Sequence, residues 1–371
     1  MDIEQLRQQA QDENTPSEVL AKSATSKDRV VLEYVAGNPN TPVKILDKLS
    51  NRFPEAVTAN PVFYLLLLEN PDSKFVKFTL ARSSTTSKET LIKLAKDRDV
   101  NIRIAVARNK NTSPEALSVL AKDSSCLVRM AVARNRNASL EVLSILSKDS
   151  DCCVLLAVVQ NLNTSLKILS NLSRDSDYRV RAAVALNRNT LPEILSNLSR
   201  DSDYRVRAAV AENKNIPLGI LFILAKDSNY KVREAIAINP STPPKILSDL
   251  SRDSDYKVRE AIAINPSTPP KILSDLSGDL DYGVRKAIAM NRNTSTEILS
   301  NLAKDSDSLV RRVVAKNPTT PPDILSILAK DSFSRVRTAV AKNPNTSREI
   351  LSILANDSDF RIRINFLNLS Y

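Results

Sequence analysis

The chain has 371 residues and a net charge of +11, which permits a polyanionic partner without requiring one, because acidic residues are numerous and interspersed. Apolar residues make up 42% of it, enough for a large core. The absence of histidine excludes Ser-His-Asp and Cys-His catalysis and histidine-ligated zinc, and only four glycines disfavour glycine-rich phosphate loops.

The N-terminal segment predicts neither export nor membrane insertion. Residues 1–14 are polar and lack the apolar core of a signal peptide. The longest apolar run, residues 62–68, is too short to span a bilayer. The three cysteines, Cys126, Cys152 and Cys153, are odd in number and form no disulfide framework. We therefore expect a cytoplasmic protein with no membrane contact.

A period of 26 residues runs along the chain and is recognisable from about residue 12. Aspartates recur at this spacing from 97 to 357, arginines from 103 to 363 with a break at Leu155, and asparagines from 109 to 343. Residues 230–251 are repeated without change at 256–277. Such strict spacing indicates a repeat protein.

The N-terminal part of the array is less regular. Segments 14–20 and 40–46 match the unit, whereas between 51 and 82 the register is disturbed by Asn60-Pro61 and Asn70-Pro71. We predict an N-terminal cap at 1–11, a repeat array at 12–363 that is irregular at 51–82, and a C-terminal tail at 364–371.

Each unit is expected to contain two helices too short to be stable alone. The first begins after an Asp or Ser cap and ends at the repeated Asn, for which we expect a left-handed backbone and bonds to neighbouring turns. The second begins at a Thr with a Glu three residues later, which predicts a capping box. Examples are Thr112 with Glu115, Thr294 with Glu297 and Thr346 with Glu349. The pattern predicts an all-α solenoid of about thirteen two-helix repeats.

The pattern V-R-x-A-V-A-x-N-x-N-T-x-x-x-I-L-S-x-L-A-x-D, clearest from Asp97 to Asp357, resembles the leucine-rich repeat variant family. It is more distantly similar to HEAT-like repeats through D-x-x-V-R. The resemblance implies an α-helix alternating with a short 3-10 or second helix in a right-handed superhelix without strands. One founding member carries a cysteine-ligated iron–sulfur domain before its repeats, and nothing here matches that domain.

The arginine series has two interpretations. It could form a basic groove for phosphates, or each arginine could pair with an aspartate of its own or the next repeat, such as Asp175 or Asp201 around Arg181. We favour ion pairs, because the aspartate series is equally regular. We expect the asparagine series to be structural, because buried turn amides need partners.

A second series places a tyrosine directly before a basic residue at the start of first helices. Its members are Tyr178-Arg179, Tyr204-Arg205, Tyr230-Lys231 and Tyr256-Lys257. Aromatic rings interleaved with basic side chains can stack nucleic-acid bases, and they also make protein hot spots. In a structural interpretation, which we favour, the rings cover the joint between units.

Positions equivalent to 179, 182 and 186 change most between units. Their mixed apolar and charged character is typical of a partner surface, although drift on an unconstrained face would give the same variation. A basic edge on adjacent units would meet an acidic protein or phosphates, or remain solvated. Its residues are Arg108, Lys110, Arg134 and Arg136.

We therefore expect a non-enzymatic scaffold that binds a protein partner through the variable face of its first helices. The carboxylates recur in every unit, whereas catalytic sites are singular. The alternative is sequence-independent nucleic-acid binding by the basic edge or a basic groove. We expect no cofactor, metal or small-molecule substrate, and interpret the cysteines as small interface residues, with a redox or metal role as the alternative.

Overall fold

The computed structural model describes residues 2–367, with side chains as far as residue 363. Residues 2–367 contain 29 α-helices and no strand, in fourteen consecutive pairs followed by a single helix. The predicted all-α repeat fold is confirmed. There is one pair more than expected, because residues 3–11 form the first helix of an additional pair. Residues 368–371 of the predicted tail lie outside the described residues.

The first helices of the pairs mostly have nine residues and the second helices seven. The first helices are α1 (Ile3–Gln11), α3 (Arg29–Gly37), α5 (Pro54–Ala59), α7 (Lys74–Arg82), α9 (Val100–Arg108), α11 (Cys126–Arg134), α13 (Cys152–Gln160), α15 (Tyr178–Leu186), α17 (Tyr204–Glu212), α19 (Tyr230–Ile238), α21 (Tyr256–Ile264), α23 (Tyr282–Met290), α25 (Ser308–Lys316), α27 (Ser334–Ala341) and α29 (Phe360–Leu367). The second helices are α2 (Ser17–Ser23), α4 (Val43–Ser50), α6 (Pro61–Glu69), α8 (Lys88–Leu94), α10 (Pro114–Leu120), α12 (Leu140–Leu146), α14 (Leu166–Leu172), α16 (Pro192–Leu198), α18 (Leu218–Leu224), α20 (Pro244–Leu250), α22 (Pro270–Leu276), α24 (Thr296–Leu302), α26 (Pro322–Leu328) and α28 (Arg348–Ala355).

The helices form two compact units, Met1–Val180 and Arg181–Tyr371. Within each unit, neighbouring first helices pack directly on one another, as α9 does on α11 and α19 on α21. Each second helix packs against the first helices before and after it, as α20 does between α19 and α21. Every repeat interior is therefore completed by its neighbours.

The interior of each repeat is aliphatic. In the pair α19–α20, the side chains of Val232, Ile236, Ile246, Leu247 and Leu250 are at most 4% exposed. Because helices of seven to nine residues do not persist alone in water, this burial between repeats stabilises both helices. None of the described helices combines the length and apolar character needed to cross a membrane.

The repeated asparagine bonds its own turn and the preceding repeat. Asn265 Nδ2 donates to the carbonyl oxygens of Ala237 (2.7 Å) and Asn239 (3.2 Å), where α19 ends. Asn265 Oδ1 accepts the backbone N–H of Ser267 at 2.8 Å. Asn265 is only 1% exposed, so this side chain satisfies carbonyls that a helix end leaves free, without water.

The same pair of donor bonds recurs in both compact units, which supports the structural interpretation of the asparagine series. The other asparagines that make it are Asn38, Asn60, Asn109, Asn135, Asn161, Asn213, Asn239, Asn291, Asn317 and Asn343. In each case the two acceptors belong to the repeat before.

The backbone at these asparagines differs from the expectation. Asn265 has φ −60° and ψ 123°, which is extended, and no described residue has a positive φ. The predicted left-handed backbone at the end of the first helix is therefore wrong. Asparagine is suited to this position because its side-chain amide donates hydrogen bonds to the preceding repeat. A preference of asparagine for the left-handed backbone does not explain it.

The predicted capping boxes at Thr112, Thr294 and Thr346 are also wrong. Thr112 Oγ1 donates to the carbonyl oxygen of Val106 at 2.5 Å, in the last turn of α9. The next residue, Ser113, caps α10 by accepting the backbone N–H of Ala116 at 3.3 Å. Ser295 and Ser347 cap α24 and α28 in the same way. The threonine therefore closes the first helix, and the serine begins the second.

Each repeated arginine joins two repeats. Arg233 Nε and Nη2 donate to both carboxylate oxygens of Asp253 in the next repeat, at 2.6 and 2.8 Å. Its Nη1 donates to the backbone oxygen of Asp227 at 2.7 Å in its own repeat. Only 15% of the Arg233 side chain and 7% of the Asp253 side chain are exposed. This bidentate geometry agrees with the ion-pair interpretation favoured from the sequence.

Equivalent ion pairs, each from one repeat to the next, span most of the array. They are Arg103–Asp123, Arg129–Asp149, Arg181–Asp201, Arg207–Asp227, Arg259–Asp279, Arg285–Asp305, Arg311–Asp331 and Arg337–Asp357. Leu155, the break in the arginine series, is 5% exposed and adds an apolar contact instead. These guanidinium groups are occupied by carboxylates, so they do not form the basic phosphate-binding groove that was the alternative interpretation.

The irregular segment contains two shortened repeats, which end at Asn60 and at Ser83. Asn60 follows Asn38 by 22 residues, yet its Nδ2 still donates to the carbonyl oxygens of Ala36 (3.0 Å) and Asn38 (2.8 Å). The helix before it, α5, has six residues where most first helices have nine. From α7 onward the 26-residue register returns, with Ser83 at the asparagine position. The shortening therefore preserves the bond to the preceding repeat.

We expect Asn265→Asp to destabilise the chain by about 3 kcal/mol, because a carboxylate cannot donate and would place charge against two carbonyl oxygens. Urea denaturation followed by circular dichroism would show a lower midpoint. Asn293→Asp is the matched control, because Asn293 is exposed and donates to a single carbonyl, that of Pro266. Equal shifts in the two variants would contradict the role assigned to Asn265.

We also expect acid to weaken the array through its aspartates. Burial disfavours ionised Asp253, but the Arg233 guanidinium and the backbone N–H of Asp255 outweigh it, so the pKa of Asp253 lies below its ordinary 3.8. A carboxyl whose pKa is lowered by folding stabilises the fold above its ordinary pKa, and this stabilisation is lost as the pH falls through the lowered pKa. The free energy of unfolding should therefore decrease as the pH falls from about 5 to about 2.

The variant Asp253→Asn should flatten this pH dependence and reduce stability by about 2 kcal/mol at pH 7. Asp255→Asn is its control, because it removes the same charge while asparagine still caps α21. Urea denaturation over a pH series would measure both. The ion-pair account fails if Asp253→Asn keeps the wild-type slope.

Candidate functional site

The predicted basic edge lies where two first helices end. Arg108 and Arg134 are the last residues of α9 and α11, and Lys110 and Arg136 follow in the turns. All four side chains are exposed. The backbone oxygen of Lys110 accepts a bond from Asn137 Nδ2 at 2.6 Å, which fixes this turn to the next repeat. The four cations therefore occupy equivalent positions on adjacent repeats of one compact unit.

The predicted tyrosine–basic pairs lie at the N-termini of α15, α17, α19 and α21. Lys231 Nζ is 5.6 Å from the ring centroid of Tyr204, and Lys257 Nζ is 5.4 Å from that of Tyr230. Each lysine thus faces the ring of the preceding repeat, within cation–π range. Charge interactions with the phenol groups of Tyr230 and Tyr256 raise the pKa of Lys257. These contacts support the interpretation that the rings cover the joint between repeats.

The two arginines of this series contact the aspartates that precede them. Arg179 Nη2 lies 2.5 Å from Asp177, and Arg205 Nη2 lies 2.7 Å from Asp203. The Arg205 guanidinium lowers the pKa of Asp203 to about 2. About half of each arginine side chain is exposed, at 53% and 48%. Because exposed pairs are worth at most about 1 kcal/mol, a partner's carboxylate can replace these contacts at little cost.

A cavity of about 400 Å³ opens between α17 and α19 in the second compact unit. It brings together three predicted residues, Tyr204, Arg205 and Lys231, with Glu212, Ala208, Ala235, Glu234 and Ile238. Burial, together with the nearby carboxylates of Asp255 and Glu260, raises the pKa of Glu234. Six of the eight lining residues occupy positions equivalent to 179, 182 and 186. The cavity is therefore formed by the variable positions.

A cavity of about 630 Å³ opens on the same helix face in the first unit, between α7 and α9. The equivalents of 179, 182 and 186 that line it are Phe75, Phe78, Arg82, Asn101, Ile104 and Arg108. Only Arg108 of these was proposed as a site residue. The α7 residues were missed because segment 51–82 was treated as irregular, whereas aligning Ser83 with the repeated asparagine would have identified them.

A third cavity, of about 660 Å³, lies between the second helices α12 and α14. Its lining includes Leu140, Glu141, Ile145 and Lys148, and none of the predicted site residues. Surface depressions therefore occur on both sides of the array. The side formed by the first helices is the one that carries the predicted tyrosine–basic pairs.

The cysteines cluster at the starts of two first helices. The ligand atoms of Asp151, Cys152 and Cys153 lie within 4.8 Å of one another, a spacing that a metal ion could bridge. The Asp151 carboxylate accepts the backbone N–H of Cys153 at 2.8 Å and thereby caps α13. The hydrogen bond to Cys152 raises the pKa of the exposed Cys153 thiol, which disfavours the thiolate. The carboxylate therefore already has a structural role.

Several known proteins resemble the chain. A solved structure of a leucine-rich repeat variant with a novel repetitive structural motif is 27% identical, over 60% of this chain and 87% of its own, with a TM-score of 0.48. Kap121p bound to Ste12p is 13% identical over 96% of this chain and 45% of its own, with a TM-score of 0.38. Importin beta is 14% identical over 91% of this chain and 50% of its own, with a TM-score of 0.32.

The chain spans about half the length of Kap121p and importin beta, and such weak similarity says nothing about partners. No curated protein matches it. The profile of the family described as leucine rich repeat variant matches residues 335–359, which contain most of α27 and all of α28. That match and the two-helix unit recurring every 26 residues confirm the resemblance to the leucine-rich repeat variant family that the sequence indicates.

Proposed function

We propose that the chain is a non-enzymatic repeat scaffold that binds a protein partner through its first-helix face, meaning the residues equivalent to 179, 182 and 186. One observation carries the proposal. Each compact unit has a cavity on this face between neighbouring first helices, and the two linings differ in chemistry. Concave sites with mixed apolar and polar linings are where binding is expected.

The division of roles within each repeat supports the proposal. The constant asparagines, arginines and aspartates make bonds between repeats, so they have little capacity left for a partner. Residues of the first-helix face make none of these bonds, and those equivalent to 186, such as Ile238, are exposed. A strip of aliphatic side chains lies there on three consecutive repeats: Ile238, Ile264 and Met290 are 54%, 55% and 59% exposed. Neighbouring exposed apolar side chains on the surface of a protein are typical of sites that bind another protein.

A face variant tests the proposal against a matched control. The face variant combines Lys231→Glu, Ile238→Glu and Lys257→Glu. The control combines Lys226→Glu, Ile223→Glu and Lys245→Glu around α18 and α20, where Ile223 is 52% exposed against 54% for Ile238. In affinity capture from the native cell extract, we expect proteins retained by the wild type to be at least tenfold depleted on the face variant and unchanged on the control.

Circular dichroism should show that both variants are folded. Equal retention by the face variant and the wild type would refute the surface. Loss of the captured proteins after nuclease treatment, with a mobility shift of single-stranded DNA that weakens steeply with salt, would instead favour the nucleic-acid alternative through the basic edge.

A further inference from the structure

We propose that the cavity between α7 and α9 binds an acidic peptide segment in which a carboxylate lies next to an aromatic or aliphatic side chain. The inference rests on the proposed function, because this cavity lies on the first-helix face, and it names the partner chemistry there. At about 630 Å³ it is within the range of roughly 300–1,000 Å³ that ligand pockets occupy.

The shortened helix α5 shapes this cavity. A regular first helix begins nine residues before its asparagine, as α9 does before Asn109, whereas α5 begins at Pro54, six residues before Asn60. The first turn of α5 is therefore missing. The residues left at this point, Asn51 and Pro54, line the cavity opposite α7 and α9. The opening follows from a change in chain length at one repeat.

The floor of the cavity suits an apolar side chain. Phe75, Phe78 and Ile104 line it and are all half-buried. The Phe75 ring packs edge-on against the buried ring of Phe63, with centroids 5.8 Å apart, which holds it in place. An inserted aromatic or aliphatic group would gain burial without a large rearrangement of these rings.

The charges around the floor favour a carboxylate. Arg82 donates to the backbone oxygen of Asn51 at 2.5 Å and lies 5.5 Å from the ring centroid of Phe78, so its guanidinium is positioned. Arg108 lies at the equivalent position of α9, is exposed and has no ion-pair partner among the described residues. A single guanidinium can bind a carboxylate through two parallel N–H···O bonds, and the second arginine adds positive charge beside it.

The same lining disfavours a nucleic-acid backbone. Lys74 also lines the cavity, but it is paired with Asp99 at 2.7 Å. Asp47 in the lining repels any anion, so it opposes a chain of several phosphates more than a segment with a single carboxylate. The Phe78 face is already covered by Arg82, which reduces the ring surface available for base stacking. A short acidic segment that presents one carboxylate and one apolar side chain fits these constraints.

Peptide selection on the full chain tests the proposal. A phage-displayed library of random peptides is selected on the wild-type protein, and enriched peptides are measured by fluorescence anisotropy. We expect peptides with adjacent acidic and aromatic or aliphatic residues. Arg108→Glu should weaken their binding at least tenfold. Arg134→Glu, at the equivalent exposed position of α11 outside the cavity, should change it less than twofold.

Enrichment of basic or purely polar peptides would overturn the proposal, as would no enrichment at all. Equal losses in Arg108→Glu and Arg134→Glu would do so too, because they would indicate attraction to the whole basic edge. Competition by a labelled single-stranded oligonucleotide that binds more tightly than the peptides would assign the cavity to nucleic acid. If any of these results occurred while the Lys231, Ile238 and Lys257 face variant still lost its captured proteins, the cavity proposal would fail and the proposed function would remain.

Discussion

The structure depends on hydrogen bonds that cross from each repeat to the one before it. A helix of nine residues has nearly as many unpaired carbonyls at its end as paired ones within it, and burial makes each unpaired group costly. The amide of Asn265 satisfies two of these carbonyls on α19, and Thr268 Oγ1 satisfies one on α21. These short helices are therefore stable only when neighbouring repeats are present.

This arrangement separates the residues that build the array from those available for recognition. The inner positions are committed to aliphatic packing, to carbonyl capping and to the bidentate pairs between Arg233-type and Asp253-type residues. The side chains of Lys231, Glu234 and Ile238 make none of these contacts between repeats. Substitutions at such positions can therefore occur without unfolding the repeat array. The scaffold's rigidity and the diversity of its surface thus arise from different side chains of the same helix.

Sequence periodicity was sufficient to predict the all-α repeat and to favour arginine–aspartate pairing, but it left open whether the aspartate belongs to the same repeat or to the next one, as Asp253 does for Arg233. Periodicity could not show that the Thr112 hydroxyl donates to the carbonyl oxygen of Val106 in the preceding helix. A threonine between two helices can cap the start of the second or bond to the end of the first, and its spacing is the same in both cases. Periodicity also missed Phe75, Phe78 and Arg82. Their cavity arises from a shortened neighbour, and only coordinates show that Asn60 keeps its bonds across that shortening.

The joints between repeats also bear on how the array can grow. The units with the repeated asparagine offer the same carbonyls to the next unit and contact the preceding unit with the same amide, so the joints between them are equivalent. A duplicated unit inserted in register can make the same contacts with both of its neighbours. The identical segments 230–251 and 256–277 illustrate such a duplication. Unequal recombination can therefore lengthen or shorten such a protein by whole units without creating an ill-fitting seam.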